Sequence, residues 1–224
     1  MRRRGLACAV AGGLAVLSMV ASTPAVATGA AATANAAASG PSFDCARVRH
    51  GSMAQWVCEI PALAALDREL ARVYGQARQK VTGAAARQLA AEQRGWIRGR
   101  DDCWKSDDVQ RCLRDTYRRR TAELQVLHRL VAARAALNLT CAGPNGAPAT
   151  AFILRTFDTD PPAAWIEPDP EQAVLFAEPV ASGTPSGTLY RGRNTTLREH
   201  QGVFELQQGF EAPWQRCRAE VAPR

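Results

Sequence analysis

The stretch TAELQVLHRLVAARAALNLTC, Thr121 to Cys141, holds the change of pattern that decides the fold. Up to Val131, Leu124 and Leu127 continue an apolar stripe at helical spacing. From Leu137 the chain turns to short alternating runs. Upstream, Leu63, Leu66, Leu70, Val73 and Ala77 recur at the same helical period. Leu89 and Trp96 follow, then Val109, Leu113 and Thr116 or Tyr117. Pro61 suits a first helical turn, Thr82-Gly83 separates two helices, and Asp107 and Asp108 suit the start of a third, where negative charge meets the helix dipole. These signals predict a short helix near 51–58 and helices over about 61–81, 84–101 and 108–135 around a modest core.

Downstream, eight short runs read as strands: Leu137–Cys141, Ala149–Phe157, Ala163–Glu167, Ala173–Ala177, Gly187–Arg191, Asn194–Glu199, Gly202–Gln207 and Trp214–Cys217. Gly143-Pro144-Asn145-Gly146, Asp160-Pro161-Pro162 and Gly183-Thr184-Pro185 punctuate them. The expected class is therefore α+β, with a disulfide-stapled helical module at 43–136 and a small antiparallel sandwich or barrel at 137–224.

Seven cysteines support the division. Cys8 lies in a targeting segment, in which Arg2-Arg3-Arg4 precede the apolar run Leu6–Val20 and Ala25-Val26-Ala27 offers a small-residue cleavage site. Residues 1–27 read as a signal peptide cleaved after Ala27 and 28–42 as a flexible leader. That run is too short to span a membrane stably, so no transmembrane segment is expected in the mature chain. The expected location is periplasmic or secreted, and the Ala- and Arg-rich composition suggests a bacterium of high genomic GC. The remaining Cys45, Cys58, Cys103, Cys112, Cys141 and Cys217 read as a disulfide framework in an oxidising compartment. Cys141 and Cys217 would close the first and last strands, and a loop of that length contributes roughly 4–5 kcal/mol in the chain-entropy account. The first four cysteines allow three pairings. Cys45–Cys58 with Cys103–Cys112 is favoured as two local closures; Cys45–Cys112 with Cys58–Cys103 stays open as the rival.

Charge divides the same way. Residues 43–136 carry 18 Lys/Arg against 11 Asp/Glu, a net of +7, and residues 137–224 carry 7 against 10, a net of −3. The basic half suits an anionic envelope component and the acidic half a basic protein, with solvated faces as the plain alternative to both. Arg118-Arg119-Arg120 point to three faces of a helix, which argues against nucleic acid. Three histidines, His50, His128 and His200, fit no metal motif, and no Gly-x-Ser-x-Gly or phosphate-cradling loop is present. A Ser186, His200 and Asp158 grouping has no distinctive spacing. No enzyme, metal or cofactor is expected. Trp96 and Trp104, beside helical cysteines, are expected in the core.

Phe43-Asp44-Cys45, the run Cys58 to Leu70 (CEIPALAALDREL), Glu92 to Trp96 (EQRGW), Arg100-Asp101-Asp102-Cys103 and Cys112 to Arg120 (CLRDTYRRR) together resemble the N-terminal domain of LprI-type lysozyme inhibitors over about 43–125. The second half, about 137–218, resembles the membrane-bound inhibitors of C-type lysozyme (MliC), a family of small antiparallel barrels. Its Ser-Gly-x-x-Tyr loop is matched by Ser186-Gly187-Thr188-Leu189-Tyr190. Ten residues past the tyrosine, where that family has Lys, stands His200. Leu197 and Arg198 replace an aromatic pair, and the glycine arrives one residue late as Gly202.

The resemblance implies a β-barrel that inserts the Ser186–Tyr190 loop into the cleft of C-type lysozyme, with a hydroxyl and a cation set against the two catalytic carboxylates. It implies binding residues Ser186, Gly187, Tyr190, Arg191, Arg198 and His200, with Tyr190 packed as a core or rim residue. A histidine is a cation only when protonated, and Arg191, Arg193 and Arg198 flank the same hairpin as alternatives. The other reading is a non-inhibitory envelope-binding or scaffold protein whose basic helical half contacts anionic wall or membrane components.

Overall fold

The structure, a computed structural model, describes residues 40–143, 147–168, 173–178 and 187–221. The expected signal peptide, most of the leader and Ser186 lie outside the described residues. Four helices come first: α1 (Met53–Glu59), α2 (Pro61–Gln79), α3 (Gly83–Asp101) and α4 (Val109–Leu127). Before α1, Asp44 accepts a hydrogen bond from the Ala46 N–H and caps a short 3-10 turn, Cys45–Arg47. Pro61 takes the first position of α2 and holds Ile60 extended, so α1 and α2 break at a single residue. The Asp108 side chain caps α4 by accepting from the Arg111 N–H at 2.9 Å.

α2 buries Leu63, Ala64, Asp67, Leu70, Val73 and Ala77. α4 meets it with Leu113, Tyr117 and Leu124, and the three form one core with Val57 and Leu89. The disulfides are Cys45–Cys58 and Cys103–Cys112, the two local closures. Cys103–Cys112 ties the 3-10 turn Asp102–Lys105 to the first turn of α4.

A polar spine runs through this core. The Tyr117 hydroxyl donates to Asp67 Oδ1 at 2.9 Å and accepts from Arg100 Nη1 at 3.0 Å. The Ser42 N–H donates to Asp67 Oδ2 at 2.6 Å, and Arg100 donates to Asp101. Trp96 packs edge-on against Tyr117 at 5.1 Å. Burial, foremost, pushes the Tyr117 phenol well above its ordinary range, while Arg100 opposes that shift. Each buried charge therefore has a partner, as its burial requires.

Helix α4 stops at Leu127, not near 135. Arg129 takes a left-handed conformation (φ 51°), its N–H bonds the Val126 carbonyl, and the Leu130 N–H bonds the Gln125 carbonyl. This is a Schellman motif with arginine at the place glycine usually holds. Leu130 packs back on the helical core, and Val131 packs on the junction with the sheet, so apolar residues that continue the stripe are half-buried without being helical.

Eight strands follow: β1 (Ala135–Cys141), β2 (Thr150–Phe157), β3 (Ala163–Glu167), β4 (Leu175–Ala177), β5 (Thr188–Arg191), β6 (Thr195–His200), β7 (Val203–Gln208) and β8 (Gln215–Val221). Each pairs antiparallel with the next, and β1 pairs with β8, which closes an up-and-down barrel and settles the sandwich-or-barrel choice. Among the described residues, closure leaves no free sheet edge. Alternate side chains, among them Leu139, Phe152, Leu154, Ile166, Leu175, Leu197 and Leu206, fill the interior. Cys141 and Cys217 are direct partners across the β1–β8 seam and are bridged. Cys217 sits within β8, which runs on to Val221 to pair with Leu137, so it does not end the strand as expected.

The two halves touch along α4. Phe157, Ala163 and Phe176 are register partners on the outer barrel face. Val126, Leu127 and Val131 pack with them. The arginine run is split three ways. Arg118 pairs with Asp160 in the β2–β3 turn, Arg119 with Glu178 and the Phe176 ring, and Arg120 with Glu123 and Gln93.

Candidate functional site

In an up-and-down barrel, alternate connections gather at the same end. The end where β5 begins also holds the end of β6, the start of β7, the end of β2 and the start of β1. It therefore collects Gly187, Glu199, His200, Asp158 and Arg134.

Gly187 is placed by a close approach. A Cβ there would collide with the Glu199 carbonyl oxygen, and the next nearest backbone includes His200 Cα at 3.4 Å. Only glycine lets the chain entering β5 lie directly on the end of β6. The residue before it, Ser186, is outside the described residues. The β6–β7 hairpin turns through Gln201 (φ 51°) and Gly202 (φ 78°), the two left-handed positions of a type I′ turn. The late glycine is thus the second turn residue. The Gly202 N–H bonds Glu199 Oε1 at 2.9 Å, which fixes the turn, and His200 pairs with Val203 across it.

Tyr190 pairs with Leu197 and packs against the barrel core. Burial, foremost, raises its phenol, Arg134 opposes this, and Glu199 and Asp158 add to it. Arg134 Nη1 stands 3.4 Å from Asp158 Oδ1.

The three alternative arginines are placed differently. Arg198 lies on the outer face, bonded to Glu205 at 2.9 and 2.7 Å, with its guanidinium 4.4 Å from the Trp214 ring centroid. Arg191 ends β5 beside Phe176 and Thr196, and Arg193 lies in the turn beyond it. Both are at the far end of β5, about 10 Å or more from Thr188 at roughly 3.4 Å per residue. The structure brings Gly187 and His200 together, sets Tyr190 further along β5 opposite Leu197, and sets Arg191 and Arg193 beyond it.

Arg134, Asp158 and Glu199 were missing from the expected site. Strand parity would have found them, since Arg134 and Asp158 flank strands and Glu199 is next to last in β6 on the side of Gly187. Trp104, expected in the core, is 65% exposed in the 3-10 turn with Lys105 over its ring. Its neighbour Cys103 takes the buried place that the disulfide to Cys112 requires. Trp96 does pack against the core. Among the described residues no cluster of His, Cys, Asp and Glu could hold a metal ion, and no helix is long and apolar enough to cross a membrane.

The fold and these two sets of residues define a disulfide-tied helical region joined to a closed eight-stranded barrel. Residues 45–124, from the first disulfide cysteine to the last buried leucine of α4, match the family described as Lysozyme inhibitor LprI. That is 80 residues of 224, the helical region alone. No curated protein and no solved structure matches the chain.

Proposed function

We propose that this protein is an exported inhibitor of C-type lysozyme and that it meets the enzyme with the barrel end at Gly187 and His200. The match of residues 45–124 to a lysozyme-inhibitor family carries the activity. The choice of surface rests on the seating of Gly187 against Glu199 and His200. A glycosidase of this kind works with two carboxyl groups facing one cleft. The Ser186 hydroxyl and the His200 imidazole are the groups offered to such a pair, and Arg134, paired with Asp158, lies at the same barrel end. The type I′ turn and the Gly187 contact hold the loop's surroundings in place, which lowers the ordering cost of binding. The reading makes the chain a binding protein, not an enzyme. Three disulfides suit an oxidising compartment reached through residues 1–27.

The test is a titration of residues 28–224, disulfides intact, against a C-type lysozyme. Stoichiometric loss of lysozyme activity is expected, weakened by Ser186→Ala and strengthened by His200→Lys, which places an ammonium at that position. No inhibition removes the function. Inhibition unchanged by both substitutions keeps the function and removes this surface.

A further inference from the structure

Helix α3 is the least buried of the long helices: of its 19 residues only Leu89 and Arg100 are buried. Leu89 enters the helical core, Trp96 packs on Tyr117, and Arg100 joins the polar spine. Two residues before each of these stands another arginine: Arg87, Arg94 and Arg98. Two residues are about 200° of helix, so these three arginines form a stripe opposite the buried line, about 16 Å long. All three are exposed, and among the described residues none makes an ion pair. The contrast with α4 is direct, since Arg111, Arg114, Arg118, Arg119 and Arg120 there each have a carboxylate partner. Nearby acids do not neutralise the stripe. Asp101 accepts from Arg100, Asp102 pairs with Lys105, and Glu92 accepts from Gln88 on the far side of the helix.

Apolar side chains accompany the charge. Ile97, between Arg94 and Arg98, is 40% exposed, and Trp104, just past the helix end, is 65% exposed beside Lys105. A soluble polyanion has use for the arginines but none for an exposed isoleucine and tryptophan. An anionic bilayer uses both, through its phosphates and its interfacial layer.

We propose that the outward face of α3 docks on an anionic lipid surface, with Arg87, Arg94 and Arg98 against the headgroup phosphates and Ile97 and Trp104 in the interface. The helix lies on the bilayer and does not cross it. This surface is separate from the barrel end assigned to lysozyme, so the two stand or fall independently.

The experiment is co-sedimentation of residues 28–224 with phosphatidylcholine vesicles containing or lacking phosphatidylglycerol, beside soluble polyphosphate as competitor. Binding is expected only with phosphatidylglycerol and is expected to fade as salt rises. Replacing the three arginines by glutamine, all at exposed positions, should weaken it about a hundredfold, since each basic residue near such a surface contributes about one part in three of that effect on a logarithmic scale. Ile97→Ser with Trp104→Ser should weaken it about tenfold. Unchanged thermal melting of these variants keeps the result about binding. The proposal is overturned by no binding, by equal binding to neutral vesicles, or by an unaffected arginine variant. It is equally overturned if polyphosphate displaces the vesicles fully while the Ile97 and Trp104 substitutions have no effect.

Discussion

In the helical region, Cys45–Cys58 and Cys103–Cys112 link residues 13 and 9 apart, whereas Cys141–Cys217 links residues 76 apart across the barrel seam. The interiors differ too. The helices pack around a hydrogen-bonded line from Asp67 through Tyr117 to Arg100, and the barrel core is formed mainly by aliphatic and aromatic side chains around the Cys141–Cys217 bridge. The difference follows from topology. Helices satisfy their backbones locally, so local staples and a specific polar contact suffice to fix how they pack. A closed barrel depends on pairing its first strand with its last, and the long-range bridge lies on that pairing.

This comparison fails first if the barrel proves indifferent to its bridge. Cys141→Ala with Cys217→Ala should cost about 4–5 kcal/mol in the chain-entropy account, against about 3 kcal/mol for Cys103→Ala with Cys112→Ala. Denaturant unfolding followed separately by barrel and helix signals checks the order, and a smaller loss in the barrel variant would break it. The polar spine ranks next. Tyr117→Phe removes a donor from Asp67 and an acceptor from Arg100, both buried, and should cost about 1–3 kcal/mol of helical stability with little effect on the barrel. The joint between the halves ranks last. The bond from Arg118 is the main cause that holds the Asp160 carboxyl below its ordinary range. The stabilisation this gives is complete above the unfolded carboxyl range and is lost as pH falls through the lower folded value. Asp160 is largely exposed, so the effect should be at most about 1 kcal/mol. Acid titration of the intact chain against Asp160→Asn, read by stability, should show that small loss only in the parent.

Much of this was legible in the sequence. Each of the eight runs overlaps a strand of the barrel, because alternation and Pro or Gly punctuation report half-buried pleated backbone directly. Both local disulfides were legible as short closures around turns. The end of α4 was not. Its Schellman turn uses Arg129 where glycine would have flagged it, and Val131 keeps the helical spacing while packing at the junction. The spine was hidden because Asp67, on the buried stripe between Leu63 and Leu70, looks like a surface charge until its partner on α4 is placed. Gly187 was singled out as part of a loop motif, but its reason, the contact with Glu199, needs strand register. Arg134 escaped for the same reason, and Asp158 appeared only in a grouping without distinctive spacing, since only closure brings β1 and β2 to the same barrel end as the start of β5.

The central claim is that lysozyme is met by the barrel end and not by the helices that carry the family match. Amide hydrogen exchange of residues 28–224, with and without saturating C-type lysozyme, tests it directly. The account predicts slowed exchange at residues 187–190 and 199–204 and little change in α1 to α4. Protection confined to the helical region, with the barrel end exchanging as in the free protein, would contradict it.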